Sequence, residues 1–452
     1  MRSSRAPVRP VLALALSLIF LGPAGARTLP VWPDGHGSFA TIERAIASAS
    51  RGDTVLLGDG VFSGTGNHDI DFLGKDVVVR SQSDNAAACV IDCQASFTDN
   101  HRAMILHSHE TAAARVQSIT FRHGFEHNND IILGYGGAIF VWNSAVTVSR
   151  CVFEQNSADI GGGGAIAVWQ GSAEIDDCVF RGNAALGGGA VYIDVGPAVL
   201  QRCVLTGNAG HAGGAIAFDV DAVGTVLDCT ISGNSAEQWG GGIADYGSRS
   251  WVYRTIIWGN CALWEGNDMA LFHQSTSTIG CCCVSPDNVY VYGASAYWSG
   301  DPINADPAFC GAVACTQAPT TSGDYTLSGD SPCLHPATPC QRRIGALGQG
   351  CGISGVADQV QDGGRPARLD LQVTNPVATR MAVRVVAAVP GTATFTLVDA
   401  SGRRIEKLGE RSLPAGESRI EMPLSADLRP GWYLLVLDQG GERATRPVIR
   451  VR

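Results

Sequence analysis

Charge is scarce in this chain: Asp, Glu, Lys and Arg make up 16% of its 452 residues, while 45% are apolar. That balance excludes disorder for the bulk of the molecule and leaves ample material for a core. Basic residues are in deficit, with 32 Lys and Arg against 42 Asp and Glu. The formal charge of −10 becomes −13 if Arg2, Arg5 and Arg9 leave with an N-terminal segment that holds no acid. An acidic surface repels phosphate backbones, which excludes nucleic acid as a partner. Long apolar runs are also missing, since beyond the N-terminus none approaches the roughly 20 residues of a membrane span. No nucleophile elbow, phosphate loop or zinc signature occurs, and Gly161 to Gly164 is a bend with no phosphate-loop lysine after it.

What is present begins with an export signal. Arg2, Arg5 and Arg9 precede the apolar run Val11 to Leu21 and the small-residue triplet Ala24-Gly-Ala26. This is the pattern of a cleavable signal peptide over residues 1–26, so the mature chain is expected to begin at Arg27. The expected location is secreted or on a bacterial outer surface, with no transmembrane segment in the mature chain.

Between Gly136 and Asn260 one phrase is written five times. The copies are Cys151-Val-Phe-Glu-Gln-Asn156, Cys178-Val-Phe-Arg-Gly-Asn183, Cys203-Val-Leu-Thr-Gly-Asn208, Cys229-Thr-Ile-Ser-Gly-Asn234 and Thr255-Ile-Ile-Trp-Gly-Asn260. Their asparagines recur at intervals of 27, 25, 26 and 26 residues. A second phrase lies between them, running Gly137-Ala-Ile-Phe-Val141, Gly164-Ala-Ile-Ala-Val168, Gly189-Ala-Val-Tyr-Ile193, Gly214-Ala-Ile-Ala-Phe218 and Gly241-Gly-Ile-Ala-Asp245. Two strand-like phrases per period in the twenties predict a β-solenoid. The four equivalent cysteines are expected to stack as a buried ladder of small apolar thiols. Cys261, Cys281, Cys282, Cys283, Cys310, Cys315, Cys333, Cys340 and Cys351 lie in loop-rich sequence and are the disulfide candidates, with connectivity open.

Ahead of the repeat, Ile42, Ala45, Ile46 and Ala49 fall at helical spacing behind a Ser38 or Thr41 cap. This predicts a short amphipathic helix covering the first coil, with Thr54 to Leu57 as the first strand. Less regular coils are expected from Ile70, and Glu126 to Leu133 reads as an inserted loop. His101, His107, His109, His123 and His127 are close in sequence, but their spacing fits no standard metal site, so no metal is assigned.

Strand alternation gives the sharpest functional expectation. If Ile139, Ile166, Val191, Ile216 and Ile243 point inward, then Trp142, Trp169, Asp194, Asp219 and Tyr246 point outward, with Phe140 and Tyr192 on the parallel outward row. Aromatic faces stack on sugar rings, and carboxylates bind hydroxyls or act as acid and base. Trp142, Trp169, Tyr192, Tyr246 and Phe140 are therefore the expected substrate-binding residues, for a polysaccharide or cell-surface glycan. Asp194 and Asp219 are candidate catalytic residues of a glycoside hydrolase or polysaccharide lyase, and such a pair could instead bind Ca2+. A structural or adhesive surface protein without activity is the third reading.

The Gly-Gly-Ala-Ile and Cys-Val-Phe-x-Gly-Asn phrases, with Thr41-Ile-Glu-Arg-Ala-Ile46 and Gly52-Asp-Thr-Val55, resemble the right-handed parallel β-helix, pectin-lyase-like superfamily over roughly residues 27–352. The resemblance implies an asparagine ladder at a coil bend, matched by Asn156, Asn183, Asn208, Asn234 and Asn260. Residues 353–366 read as a linker. Residues 367–452 have the alternation of a small immunoglobulin-like β-sandwich. In that region Asp427-Leu-Arg-Pro-Gly-Trp-Tyr-Leu-Leu435 and Arg443-Ala-Thr-Arg-Pro-Val-Ile-Arg450 resemble the type A sorting domain of the type IX secretion system, which implies contact with an export machinery.

Overall fold

The computed structural model describes residues 25–127, 134–334, 338, 340, 342–351, 370–373, 377, 379–387, 389–398, 403–425, 427–429, 431–440 and 442–450. Most of the expected signal peptide, the tip of the inserted loop and the linker lie outside these residues. Among them, no helix is long and apolar enough to cross a membrane.

The chain is all-β, a parallel solenoid followed by small antiparallel sheets. One coil shows the plan. Ala145–Ser149 lies in sheet 1, Val152–Glu154 in sheet 2, Ser157–Gly162 in sheet 3 and Ile166–Trp169 in sheet 4, after which Ser172–Asp176 returns to sheet 1. Corners are made by single residues in the left-handed region. Arg150, Asp177, Arg202 and Asp228 have φ of 53°, 56°, 53° and 54° immediately before the repeat cysteines. At the next corner Gly207 has φ +59°, and a Cβ there would also sit 2.3 Å from the Thr320 carbonyl oxygen. Glycine at position 207 is thus required twice over.

Inside the coils the repeat phrases become ladders. Cys151, Cys178, Cys203 and Cys229 are buried and unpaired. Phe121, Phe153 and Phe180 stack in line, with centroids 5.1 and 4.9 Å apart. Each asparagine side chain closes a bend and touches the next coil. Asn183 Nδ2 donates to Phe153 O at 3.0 Å and to Asn208 Oδ1 at 3.0 Å, and the ladder ends where Asn260 donates to Asp268 Oδ1 at 2.9 Å. The helix Ile42–Ser48 forms where expected, its N-terminus capped by Thr41, with Ile42, Ala45 and Ile46 buried. The first strand is Thr28–Val31, which pairs with Thr54–Leu57, so sheet 1 begins one strand earlier than sequence spacing predicts.

Two corrections concern the C-terminal end of the solenoid. Disulfides join Cys261 to Cys315, Cys281 to Cys340 and Cys310 to Cys351, but Cys282, Cys283 and Cys333 are free and buried. Cys282 follows the left-handed Cys281 as the earlier ladder cysteines follow theirs, so it belongs to the core and not to a loop. The segment read as a cap also runs back along the outside of sheet 2. Thr320 N–H reaches Gly207 O at 2.8 Å, and Ile344, Leu327 and Cys333 pack on Ile256. Val291 and Trp298, which continue the inward rows of Leu271 and Ile279, remain 41% and 38% exposed.

Beyond the linker, Asp370–Val373, Arg380–Ala387 and Gly416–Pro423 form one antiparallel sheet. Gly391–Val398, Arg404–Leu413, Gly431–Gln439 and Glu442–Arg450 form the other. Leu371, Val383, Phe395 and Leu437 share one core between them. The elements form the expected sandwich.

Candidate functional site

Sheet 4 aligns the outward row that alternation predicts. Trp142 pairs with Trp169, and Trp169 with Asp194. Ile193 pairs with Phe218 and Phe218 with Asp245, which carries Asp194, Asp219 and Tyr246 forward in register. Phe272 and Tyr292 extend the row by two coils. Trp142, Trp169, Asp194 and Asp219 are half-buried, and Tyr246 is exposed.

Phe140 and Tyr192 do lie on the outer side of sheet 4, but neither presents a ring face. Phe140 is fully buried, with the Arg102 guanidinium 5.2 Å from its centroid, and Tyr192 is 8% exposed. The cause is Tyr135, which folds back over the row with its ring 6.3 Å from Phe140, 5.4 Å from Tyr192 and 5.4 Å from Trp169. Alternation within strands cannot reveal a cover supplied by a neighbouring turn. Phe140 is therefore a support for the site and no contact surface.

Tyr192 has a different task. Its ring lies against bare backbone, since a Cβ on Gly162 would fall 2.3 Å from Tyr192 Cγ. Its hydroxyl donates to Asp219 Oδ2 at 2.7 Å, while Val220 N–H donates to Asp219 Oδ1 at 2.8 Å. Asp194 sits one coil away, about 4.8 Å by strand spacing. Partial burial, then the charges of Asp219 and Asp221, push its carboxyl up to about 6. Burial, then the Asp219 carboxylate, also raises the Tyr192 phenol well above its ordinary range. One carboxyl raised to about 6 thus lies beside another that accepts two hydrogen bonds.

The two carboxyls and a phenol offer few of the six to eight oxygens that Ca2+ takes. The lyases implied by resemblance need a base beside their acids, and no Lys or Arg occupies the row. Sequence reasoning missed Tyr135 and a second aromatic group, in which Trp239 meets Trp264 at 4.9 Å and Phe272 at 5.3 Å. The Phe272 coil was hidden because its phrase, Gly266-Asn-Asp-Met-Ala-Leu-Phe272, has lost the Gly-Ala-Ile signature.

A family model described as "Right handed beta helix region" matches residues 164–300. The solenoid is a right-handed β-helix. Among solved structures, a pectin methylesterase from carrot is similar to this β-helix at 12% identity and a TM-score of 0.29, covering 63% of this chain and 86% of that one. The enzymatically active domain of bacteriophage CBA120 tailspike protein 4 is similar at 10% identity and a TM-score of 0.27, covering 88% of this chain and 62% of that one. No curated protein matches the chain.

Proposed function

We propose that this β-helix protein binds an extended polysaccharide along the outer row of sheet 4. The observation that carries the reading is the in-register row of Trp142, Trp169, Asp194, Asp219, Tyr246, Phe272 and Tyr292. Half-exposed rings suit the apolar faces of sugar units, and the carboxyls between them accept hydrogen bonds from hydroxyls. The full mature chain should be retarded by one class of glycan in a panel of soluble polysaccharides run through native gels. Equal mobility in every gel would count against the reading.

Hydrolysis by Asp194 and Asp219 is the second reading, favoured by the elevated Asp194. Neutral Asp194 could protonate a glycosidic oxygen, and coil spacing brings the pair near the roughly 5 Å separation of retaining enzymes. Against this, hydrogen bonds occupy a lone pair on each Asp219 oxygen and weaken it as a nucleophile. Ligand affinity, or turnover if it occurs, should show an inflection near pH 6 that is lost in Asp194→Asn. An unchanged profile would remove Asp194 from the site. New reducing ends, absent with Asp194→Asn, would turn the binding reading into the hydrolase one.

The proposal extends to placement. Three disulfides suit an oxidising compartment. The sandwich at 367–452 is proposed as the sorting unit for type IX export, with 1–26 as signal peptide and 353–366 as linker. Deleting 367–452 should retain the protein in the periplasm of a host with that system. Normal surface display would contradict it.

A further inference from the structure

We infer that His68, Asp69 and His101 form a binding site for one divalent transition-metal ion of the Zn2+ class. The three residues come from adjacent coils at the corner that leads into sheet 4, ahead of Ile70 and Met104. His68 Nδ1 lies 2.8 Å and His101 Nδ1 2.6 Å from the same atom, Asp69 Oδ2. The two rings are 3.8 Å apart at their centroids. All three ligand atoms fall within 4.8 Å of one another, and among the described residues no other group of three His, Cys, Asp or Glu does so.

The surroundings match what a metal needs. Two imidazole nitrogens and one carboxylate oxygen are the donor set of an open tetrahedral site, with water as fourth ligand. Tetrahedral bonds of about 2.0 Å place ligand atoms about 3.3 Å apart. The His68 and His101 contacts to Asp69 would widen by about 0.5 and about 0.7 Å as a metal ion takes the place of the bridging protons.

The outer contacts are already made. His101 Nε2 lies 3.1 Å from Asp99 Oδ1, the carboxylate–imidazole contact that fixes the tautomer of a ligating histidine. Asp69 Oδ1 accepts from Arg102 N–H at 3.1 Å, which leaves Oδ2 to the two imidazoles. The side chain of the adjacent Arg102 is neutralised locally, because its Nε pairs with Glu126 Oε1 at 2.9 Å. The side chains of His68 and His101 are 11% and 24% exposed, whereas that of Asp69 is 48% exposed and gives solvent and ion an approach.

The other histidines of this region do not converge. His107 pairs with Asp71, His123 with Asp92 and His127 with Asp159. The sequence cluster therefore contributes one member, His101, and its partner His68 lies 33 residues upstream, at the corresponding corner of the preceding coil.

The test uses the full mature chain, purified without a histidine tag, stripped with chelator and titrated with ZnSO4. One equivalent of Zn2+ per chain is expected, with a rise in thermal midpoint, because binding to the folded form alone stabilises it. His68→Gln and His101→Gln should each lose the equivalent. Asp99→Asn should keep the stoichiometry and weaken affinity ten- to hundredfold. Far-UV circular dichroism of the zinc-free variants checks that the coils are intact. Failure of the wild-type chain to take up one equivalent, or full uptake by a folded His68→Gln variant, would overturn the assignment. Polysaccharide binding is a separate readout, so this result and that of the sheet 4 proposal stand or fall independently.

Discussion

Between pH 4 and pH 8 the wild-type β-helix is expected to lose about 4 kcal/mol of stability relative to an Asp245→Asn variant. Asp245 occupies an inward position between Phe218 and Leu271 and is fully buried. Burial raises its carboxyl to about 7 from an ordinary value of 3.8, with the Ser250 hydroxyl acting in the opposite direction. A raised carboxyl is favoured in its neutral form by folding. Its contribution is therefore complete below the unfolded value and is lost as pH rises through the folded one. Ser250 Oγ donates to Asp245 Oδ2 at 2.6 Å and lies 2.8 Å from Ser277 Oγ. Chemical denaturation of both proteins across this range checks the expectation, and parallel stability curves would refute it.

Asn208→Ala is expected to destabilise the β-helix by roughly 3 kcal/mol. Asn208 Nδ2 donates to Phe180 O at 3.1 Å and to Asn234 Oδ1 at 2.9 Å, and its Oδ1 accepts from both Asn183 N–H and Asn183 Nδ2 at 3.0 Å. Alanine strands these partners in a bend where Asn208 is fully buried, and unsatisfied buried polar groups cost about 1–3 kcal/mol each before relaxation. Asn208→Asp should be no milder, because a carboxylate cannot donate. Urea unfolding of the three proteins measures the loss, and a difference under about 1 kcal/mol would mean that the ladder adds little beyond turn geometry.

Much of this architecture is legible in the sequence because a solenoid repeats its physics at a fixed interval. The cysteine and asparagine phrases each mark one corner, and their recurrence sets the stacking partners. The outer row of sheet 4 follows from the same period. What escaped is what departs from repetition. Tyr135 reaches the row from a turn outside the strands, so its cover over Phe140 and Tyr192 left no periodic trace. The run Cys281-Cys282-Cys283 hides one disulfide cysteine, one ladder residue and one residue packed under the flank. Alternation from Ile243 places Asp245 inward, yet a carboxyl there contradicts the apolar row, and its solvent-free environment emerges only from packing. His68 and His101 become neighbours through an irregular early coil whose length the repeat does not set.

The central claim is that the outer row of sheet 4 holds glycan, and the affinity of the retarded polysaccharide for the Trp142→Ala/Trp169→Ala double variant tests it most directly. Trp298→Ala, which removes an exposed ring away from this row, serves as the control. Loss of two adjacent stacking surfaces from one end of the row should weaken binding at least tenfold in the double variant and leave the control unchanged. Equal affinity of the double variant and the wild-type chain would contradict the account.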